Sequence, residues 1–317
     1  MLLKTILNRV EPFKSFVYGK ATWVEGAERP TLEVALHARR NGRAICSGCG
    51  RPGRGYDRLR ERRFEFVPLW GIAVYFVYAL RRVDCPTCGV TAERVPWAVG
   101  KSRLTTSYRW FLARWAKRLS WEEVASIFQT TWRNVYESVK QAVFWGVGHQ
   151  NLGPIGAIGV DEIQWQRGHR YLTLVYQIEE GMKRLLWVAG ERTEESLRGF
   201  FRCLSEPERQ SIRFVCSDMW RPYLNVIAEQ LQQAVHVLDR FHIMKKIARS
   251  LREHRDLILN WFRAQGTVSS GSVEGLNNKA KLTIRKAYGF RTLDGLTTAL
   301  YHTLGKLPEP KSIHRFC

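Results

Sequence analysis

Three acids stand in settings that suit metal-assisted phosphate chemistry: Asp161 in IGVDEIQ, Asp218 in VCSDMW and Glu274 in SVEGLNNKAK. Cutting or joining a phosphodiester needs a nucleophile drawn from water or a 3′ hydroxyl, and relief of charge on the scissile phosphate and the leaving oxygen. Two Mg²⁺ or Mn²⁺ ions roughly 4 Å apart supply both. Mg²⁺ takes oxygen ligands and keeps several waters, so a few carboxylates are enough to hold it. Side chains alternate along a strand, so Asp161 shares a face with Gly159 and Ile163 while Glu162 points away. Taken singly, each acid also has a plainer reading. Asp161 suits a strand-end turn or a surface salt bridge, Asp218 a helix cap, and Glu274 a solvated helix stripe.

A second group of residues suits a different metal. Cys46-Ser-Gly-Cys49 and Cys85-Pro-Thr-Cys88 are two C-x-x-C knuckles 35 residues apart, each followed by glycine, Gly50 and Gly89. Four thiolates so spaced close a tetrahedron around Zn²⁺ and leave no open position for water, which marks a structural site. The stretch Arg62 to Arg82 between them fits two strands broken near Pro68 and Gly71, a zinc-ribbon arrangement. Cys203, Cys216 and Cys317 have no partner at ligand spacing and read as packing or tail residues.

The elements that position the acids follow from periodicity. After the Gly- and Pro-containing linker at 153–159 the pattern predicts strands at 157–164, 170–178 and 184–190, a helix over 193–203, a strand at 212–217, a helix after Arg221-Pro222 and a strand at 234–239. Three strands, then helix, strand, helix, strand is the order of a ribonuclease-H-like α/β domain, in which the ends of the first and fourth strands are neighbours. Asp161 and Asp218 then face each other. A further helix is expected over about 273–288, with serine caps before it and Gly289 as its stop. On it Glu274, Asn277, Asn278, Lys281 and Arg285 share one stripe, a carboxylate followed by amides and cations able to hold metal and phosphate backbone together.

Upstream, residues 104–145 become helical: Thr105 or Thr106 caps a first helix, Ser120 and Glu123 suit a capping box, and TWRNVYESVKQAVFW forms a longer helix. This suits a helix-turn-helix offering Trp132, Arg133, Asn134 and Lys140 to DNA, although any helical hairpin has the same pattern.

Charge points to a polyanion. The chain carries 50 Lys and Arg against 29 Asp and Glu, net +21; residues 1–150 contribute +13, residues 151–240 −1 and residues 241–317 +9. Two basic arms flank a nearly neutral middle, the footprint of nucleic acid, with a membrane surface as the other candidate. No apolar stretch reaches the roughly 20 residues of a spanning helix. The N-terminus carries Lys4 and Arg9 inside its apolar part, unlike a secretory signal. A cytoplasmic location is therefore expected, where thiols stay reduced.

Together, the C-x-x-C pair, the helical pair, GVDEI around Asp161, SDMWRPY around Asp218, DRFH at Asp239 to His242, and VEGLNNKAK with AYGFR resemble the ISL3-type insertion-sequence transposases, in order and over nearly the whole chain. The resemblance implies an α/β fold, with a ribonuclease-H-like catalytic domain (151–305) preceded by a zinc ribbon (1–100) and an all-α helix-turn-helix domain (101–150), and a tail at 306–317. It implies a DDE triad of Asp161, Asp218 and Glu274 using Mg²⁺ or Mn²⁺, and a structural Zn²⁺. The implied partners are double-stranded DNA, as transposon ends and target, and a second copy of the chain, acting at the bacterial nucleoid. Family members usually have a longer helical stretch between DRFH and the VEGLNN helix. That departure motivates the alternative of a shortened or domesticated, non-catalytic DNA-binding protein.

Overall fold

In the computed structural model, residues 3–166, 168, 170–238, 255–263, 270–287 and 289–310 are described. The chain divides into two compact units, one formed mainly by residues 1–118 and 123–138, the other mainly by 119–122 and 139–309.

In the first unit, helix α1 (Leu3–Val10) precedes strands β1 (Phe16–Trp23), β2 (Thr31–Ala38), β3 (Ala44–Ile45), β4 (Pro52–Leu69), β5 (Ile72–Cys85) and β6 (Gly89–Ala92). They form one sheet in the order β1-β2-β5-β4-β3, with β6 beside β5. The two strands expected between the knuckles are the long hairpin β4/β5. Its break is at Trp70-Gly71, both with positive φ (50° and 81°), the backbone that a tight right-twisting hairpin turn requires. Pro68 lies inside β4, in the register shift between Phe66 and Leu69, where a residue without an N–H donor is tolerated. Trp97, 1 % exposed, is the centre of the core: Phe13, Phe16, Phe64 and Tyr78 have ring centroids 4.8–6.0 Å from it.

Helices α2 (Thr106–Ala116), α3 (Trp121–Ile127) and α4 (Trp132–Gly148) fill the stretch read as helical. Thr105 is the first cap, its hydroxyl accepting from Tyr108 N at 3.3 Å. These helices do not form a unit of their own: most residues up to Ser138 group with the first unit, and those after it with the second.

The second unit is built on strands β7 (Ala157–Gln166), β8 (Arg170–Glu179), β9 (Met182–Gly190), β10 (Phe214–Ser217) and β11 (Val235–Leu238), with α5 (Glu194–Cys203), α6 (Glu206–Gln210), α7 (Arg221–Gln230), α8 (Arg255–Arg263), α9 (Ser270–Lys286) and α10 (Leu293–Leu304). The sheet order is β11-β10-β7-β8-β9. The pairs β7/β8 and β8/β9 are antiparallel, whereas β10 pairs in parallel with both β7 and β11. This is the order expected of a ribonuclease-H-like sheet.

Alternation along β7 sorts its residues to two cores. Ala157 and Ile163 pack with Val273, Leu276 and Ala280 of α9 and Leu296 and Leu300 of α10. Ile158 and Val160 pack on the other face with Leu197 and Phe200 of α5 and Val226 and Ile227 of α7. Gly159 allows α9 to lie close, since a Cβ there would stand 2.2 Å from Val273 Cγ2. The expected helix at 273–288 starts earlier, at Ser270, and ends at Lys286, with Gly289 (φ 96°) closing it through its N–H to Ile284 O. The DRFH motif, with Asp239 and His242, and the end of the tail with Cys317 lie outside the described residues.

Candidate functional site

The parallel ladder between β10 and β7 pairs Phe214 with Ala157 and Cys216 with Gly159. Two residues beyond the last pair stand Asp218, which directly follows β10, and Asp161, midway along β7. Both acids thus lie past the same end of the parallel ladder, the C-terminal end of β10, where α/β sheets gather their chemistry.

Each acid is held by its own contacts. Asp161 Oδ1 accepts the N–H of Glu162 at 2.8 Å, and its Oδ2 accepts from Asn277 Nδ2. Asn277 accepts in turn from the buried Tyr176 hydroxyl at 2.7 Å. Burial, and then the Asp161 charge, raise the Tyr176 pKa, so the hydroxyl keeps its proton for that bond. Asp218 Oδ1 accepts the Trp220 N–H at 3.1 Å, and Oδ2 lies 3.1 Å from Arg192 Nη2.

Arg192 adds residues that sequence reasoning passed over. The same Nη2 lies 2.9 Å from Glu162 Oε1, and the guanidinium stacks 4.3 Å from the centroid of the Trp220 ring. Glu162 and Asp161 leave β7 on opposite faces, yet Glu162 is joined to Asp218 through this one arginine. Burial, reinforced by the charges of Asp218 and Asp161 and opposed by Arg192, pushes the Glu162 pKa from 4.5 up to about 7. A group raised in this way stabilises the fold fully below its unfolded value and loses that contribution as pH rises through the folded value. In metal-free protein, the melting temperature is therefore expected to fall between about pH 4.5 and 7, and Glu162→Gln to flatten that part of the curve. An equally steep fall in the variant would place its origin elsewhere.

Glu274 is exposed on α9, three residues before Asn277. Among the described residues, no group of three acids that includes Asp161, Asp218 and Glu274 comes within mutual ligand distance; the group that does is the four cysteines. The aspartates have the hard oxygen donors that Mg²⁺ prefers. On α9, Asn278, Lys281 and Arg285 are exposed, whereas Asn277 of the same stripe is buried. It is 4 % exposed, because its amide is engaged by Asp161 and Tyr176.

In the first unit, the Sγ atoms of Cys46, Cys49, Cys85 and Cys88 all lie within 4.8 Å of one another, and Cys49 and Cys85 are 3.5 Å apart. A zinc tetrahedron with Zn–S near 2.3 Å has an S···S edge of about 3.8 Å, so the donor set fits that ion. Gly50 and Gly89 take φ of 72° and 70°, the left-handed turn each knuckle needs. The Thr91 hydroxyl, followed by backbone N–H groups, lowers the Cys46 thiol to about 6. Burial, followed by the neighbouring sulfurs, pushes Cys88 up to about 12.

Of the helical candidates, Arg133 is exposed on α4. Asn134 is engaged at the start of that helix, its amide donating to Thr130 Oγ1 at 2.9 Å and its N–H to Thr131 Oγ1 at 3.1 Å. Lys140 pairs with Asp294 at 2.7 Å.

A sheet of this order, with one acid within its first strand and one directly after its fourth, is consistent with the ribonuclease-H-like transposase class. A family model of the DDE ISL3 type, described as "Transposase", matches residues 158–249 and 244–300. That span matches the ISL3 family of insertion-sequence transposases. The two matched pieces overlap at residues 244–249, just after DRFH. The chain is similar to the "Transposase for insertion sequence element IS1557" of Mycobacterium tuberculosis, 30 % identical over 223 residues, 69 % of this chain and 49 % of the relative. It is also similar to the "Transposase for insertion sequence element IS1001" of Bordetella parapertussis, 26 % identical over 230 residues, 72 % of this chain and 56 % of the relative. The chain thus spans about half the length of the curated relatives it matches. Among the described residues, no helix is long and apolar enough to cross a membrane.

Proposed function

We propose that the chain cuts and joins double-stranded DNA at the ends of an insertion element, with Asp161, Asp218 and Glu274 as the acids that hold divalent metal. The observation that supports this reading is the register of β7 and β10, in which Asp161 and Asp218 each follow the last paired residue of the ladder by two positions. Bound Mg²⁺ or Mn²⁺ supplies Lewis-acid relief of charge on the phosphate and a more acidic attacking hydroxyl. The chain's own residues orient the acids: Asn277 and the Glu162 N–H hold Asp161, and Arg192 and the Trp220 N–H hold Asp218. Glu274 approaches from α9, with Asn278, Lys281 and Arg285 along the DNA backbone. Arg133 reads sequence from a helix-turn-helix that includes α4. Zn²⁺ on Cys46, Cys49, Cys85 and Cys88 is structural. Two copies of the chain hold the two ends together at the nucleoid.

The test is cleavage of a DNA fragment carrying the element's own ends, with Mg²⁺ or Mn²⁺, by wild type and Glu274→Gln. Loss of cutting with binding intact supports the triad. Wild-type cutting by Glu274→Gln removes Glu274 from it, and a wild-type chain that binds ends but never cuts is a non-catalytic member of the family.

A further inference from the structure

Strand β4 begins with a segment that the proposed site does not use. Residues 51–63 read RPGRGYDRLRERR, six arginines against two acids. In the sheet this stretch is an open edge. Strand β3 pairs with β4 only at Pro52 and Gly53, and from Arg54 to Arg63 the outer side of β4 has no strand partner among the described residues. Every residue from Arg54 to Glu61 is exposed, so both faces of the strand are solvated there.

The arginines are not absorbed by the fold. Arg51, Arg54, Arg58 and Arg60 have no side-chain hydrogen bond or ion pair among the described residues. By contrast, Arg63 pairs with Glu33 at 2.8 Å and Arg62 reaches the carbonyls of Lys101 and Ser102. The register with β5 also slips twice in this stretch, between Gly55 and Arg58 and between Arg58 and Glu61. Bulges of this kind increase twist and re-aim side chains, so consecutive arginines are fanned out instead of lying on one flat face.

We propose that this bulged arginine edge is a docking surface for the phosphate backbone of duplex DNA, separate from α4 and α9. Charge complementarity selects the occupant: unpaired guanidinium groups match phosphate oxygens in a planar, two-pronged way. Arg54 to Arg60 spans about 20 Å of strand, over which one DNA strand presents about six phosphates at a rise of about 3.4 Å. The choice of DNA rests on the transposase reading.

The test uses the zinc-loaded full chain and a variant with Arg54, Arg58 and Arg60 all changed to Gln. Affinity for a duplex of arbitrary sequence and for one carrying the element's ends is followed by fluorescence anisotropy across KCl concentrations. Each phosphate contact contributes about 0.9 to the slope of log K against log salt, so losing three should flatten it by about 2 to 3, equally for both duplexes. The matching Lys variant should keep the slope, because charge carries the contact. Zinc content and melting temperature equal to wild type show that the Gln variant is folded; if it is not, the single Arg60→Gln variant should flatten the slope by about 1. An unchanged slope overturns the proposal, and so does an unchanged slope joined to aggregation, which would assign the arginines to guarding an open strand edge. Tighter binding of duplex RNA than of duplex DNA also overturns it. Absence of any salt-dependent DNA binding by wild type sinks the transposase reading itself, whereas normal wild-type binding with an unchanged variant sinks only the β4 surface.

Discussion

Asp161→Asn is expected to lower Mg²⁺-dependent strand cleavage by at least about 100-fold while leaving duplex binding at its wild-type level. The substitution keeps the shape of the side chain and an oxygen for the Asn277 amide, so the β7 to α9 contact survives. What it removes is the negative charge beside Asp218 that suits a divalent cation. A second readout is independent of turnover. Mn²⁺ should raise the melting temperature of the wild-type protein, because a ligand bound only by the native state stabilises it. That rise should shrink in Asp161→Asn. Cleavage at the wild-type rate by the variant would end the two-metal reading.

The largest effect on stability is expected at the cysteine cluster. Zn²⁺ binding in small four-ligand sites contributes about 10 kcal/mol or more of folding free energy, and the first unit hangs both ends of its longest hairpin on those thiolates. Cys85→Ser replaces a soft sulfur ligand with a hydroxyl. Purified wild type should carry about one zinc per chain and the variant almost none, with early melting and aggregation of the exposed hairpin aromatics. The ribonuclease-H-like unit has its own cores, so its melting transition should remain. A variant that retains its zinc would refute the four-thiolate assignment.

The second unit was the more legible of the two in sequence. Its strands are bounded by turns and show continuous apolar runs such as LTLVYQI, and the alternation around Asp161 predicts which faces Gly159 and Ile163 share. Less was legible in the first unit. In β1 the alternation is broken by a register shift between Tyr18 and Ala21, so period-2 patterning fades where the strand is real. The arginine-rich half of β4 has no buried face at all, and hydrophobic periodicity cannot mark a strand that buries nothing on either side. Helical angle alone puts Asn277 on one stripe with Glu274, Asn278, Lys281 and Arg285. It lies on the boundary between faces, and only the packing of α9 on β7 settles which neighbour it meets. Glu162 is a similar case: alternation correctly sends it away from Asp161, but only the tertiary fold brings Arg192 in to tie it to Asp218.

Helix α9 is fastened by its own side chains: Val273 sits against Gly159, and Asn277 bonds both Asp161 and Tyr176. Nothing in that attachment measures how much chain leads up to it. The aim of α9 is thereby set at its own contacts with β7 and β8, so a change in the chain that leads to it reaches Asp161 only by way of Val273 and Asn277.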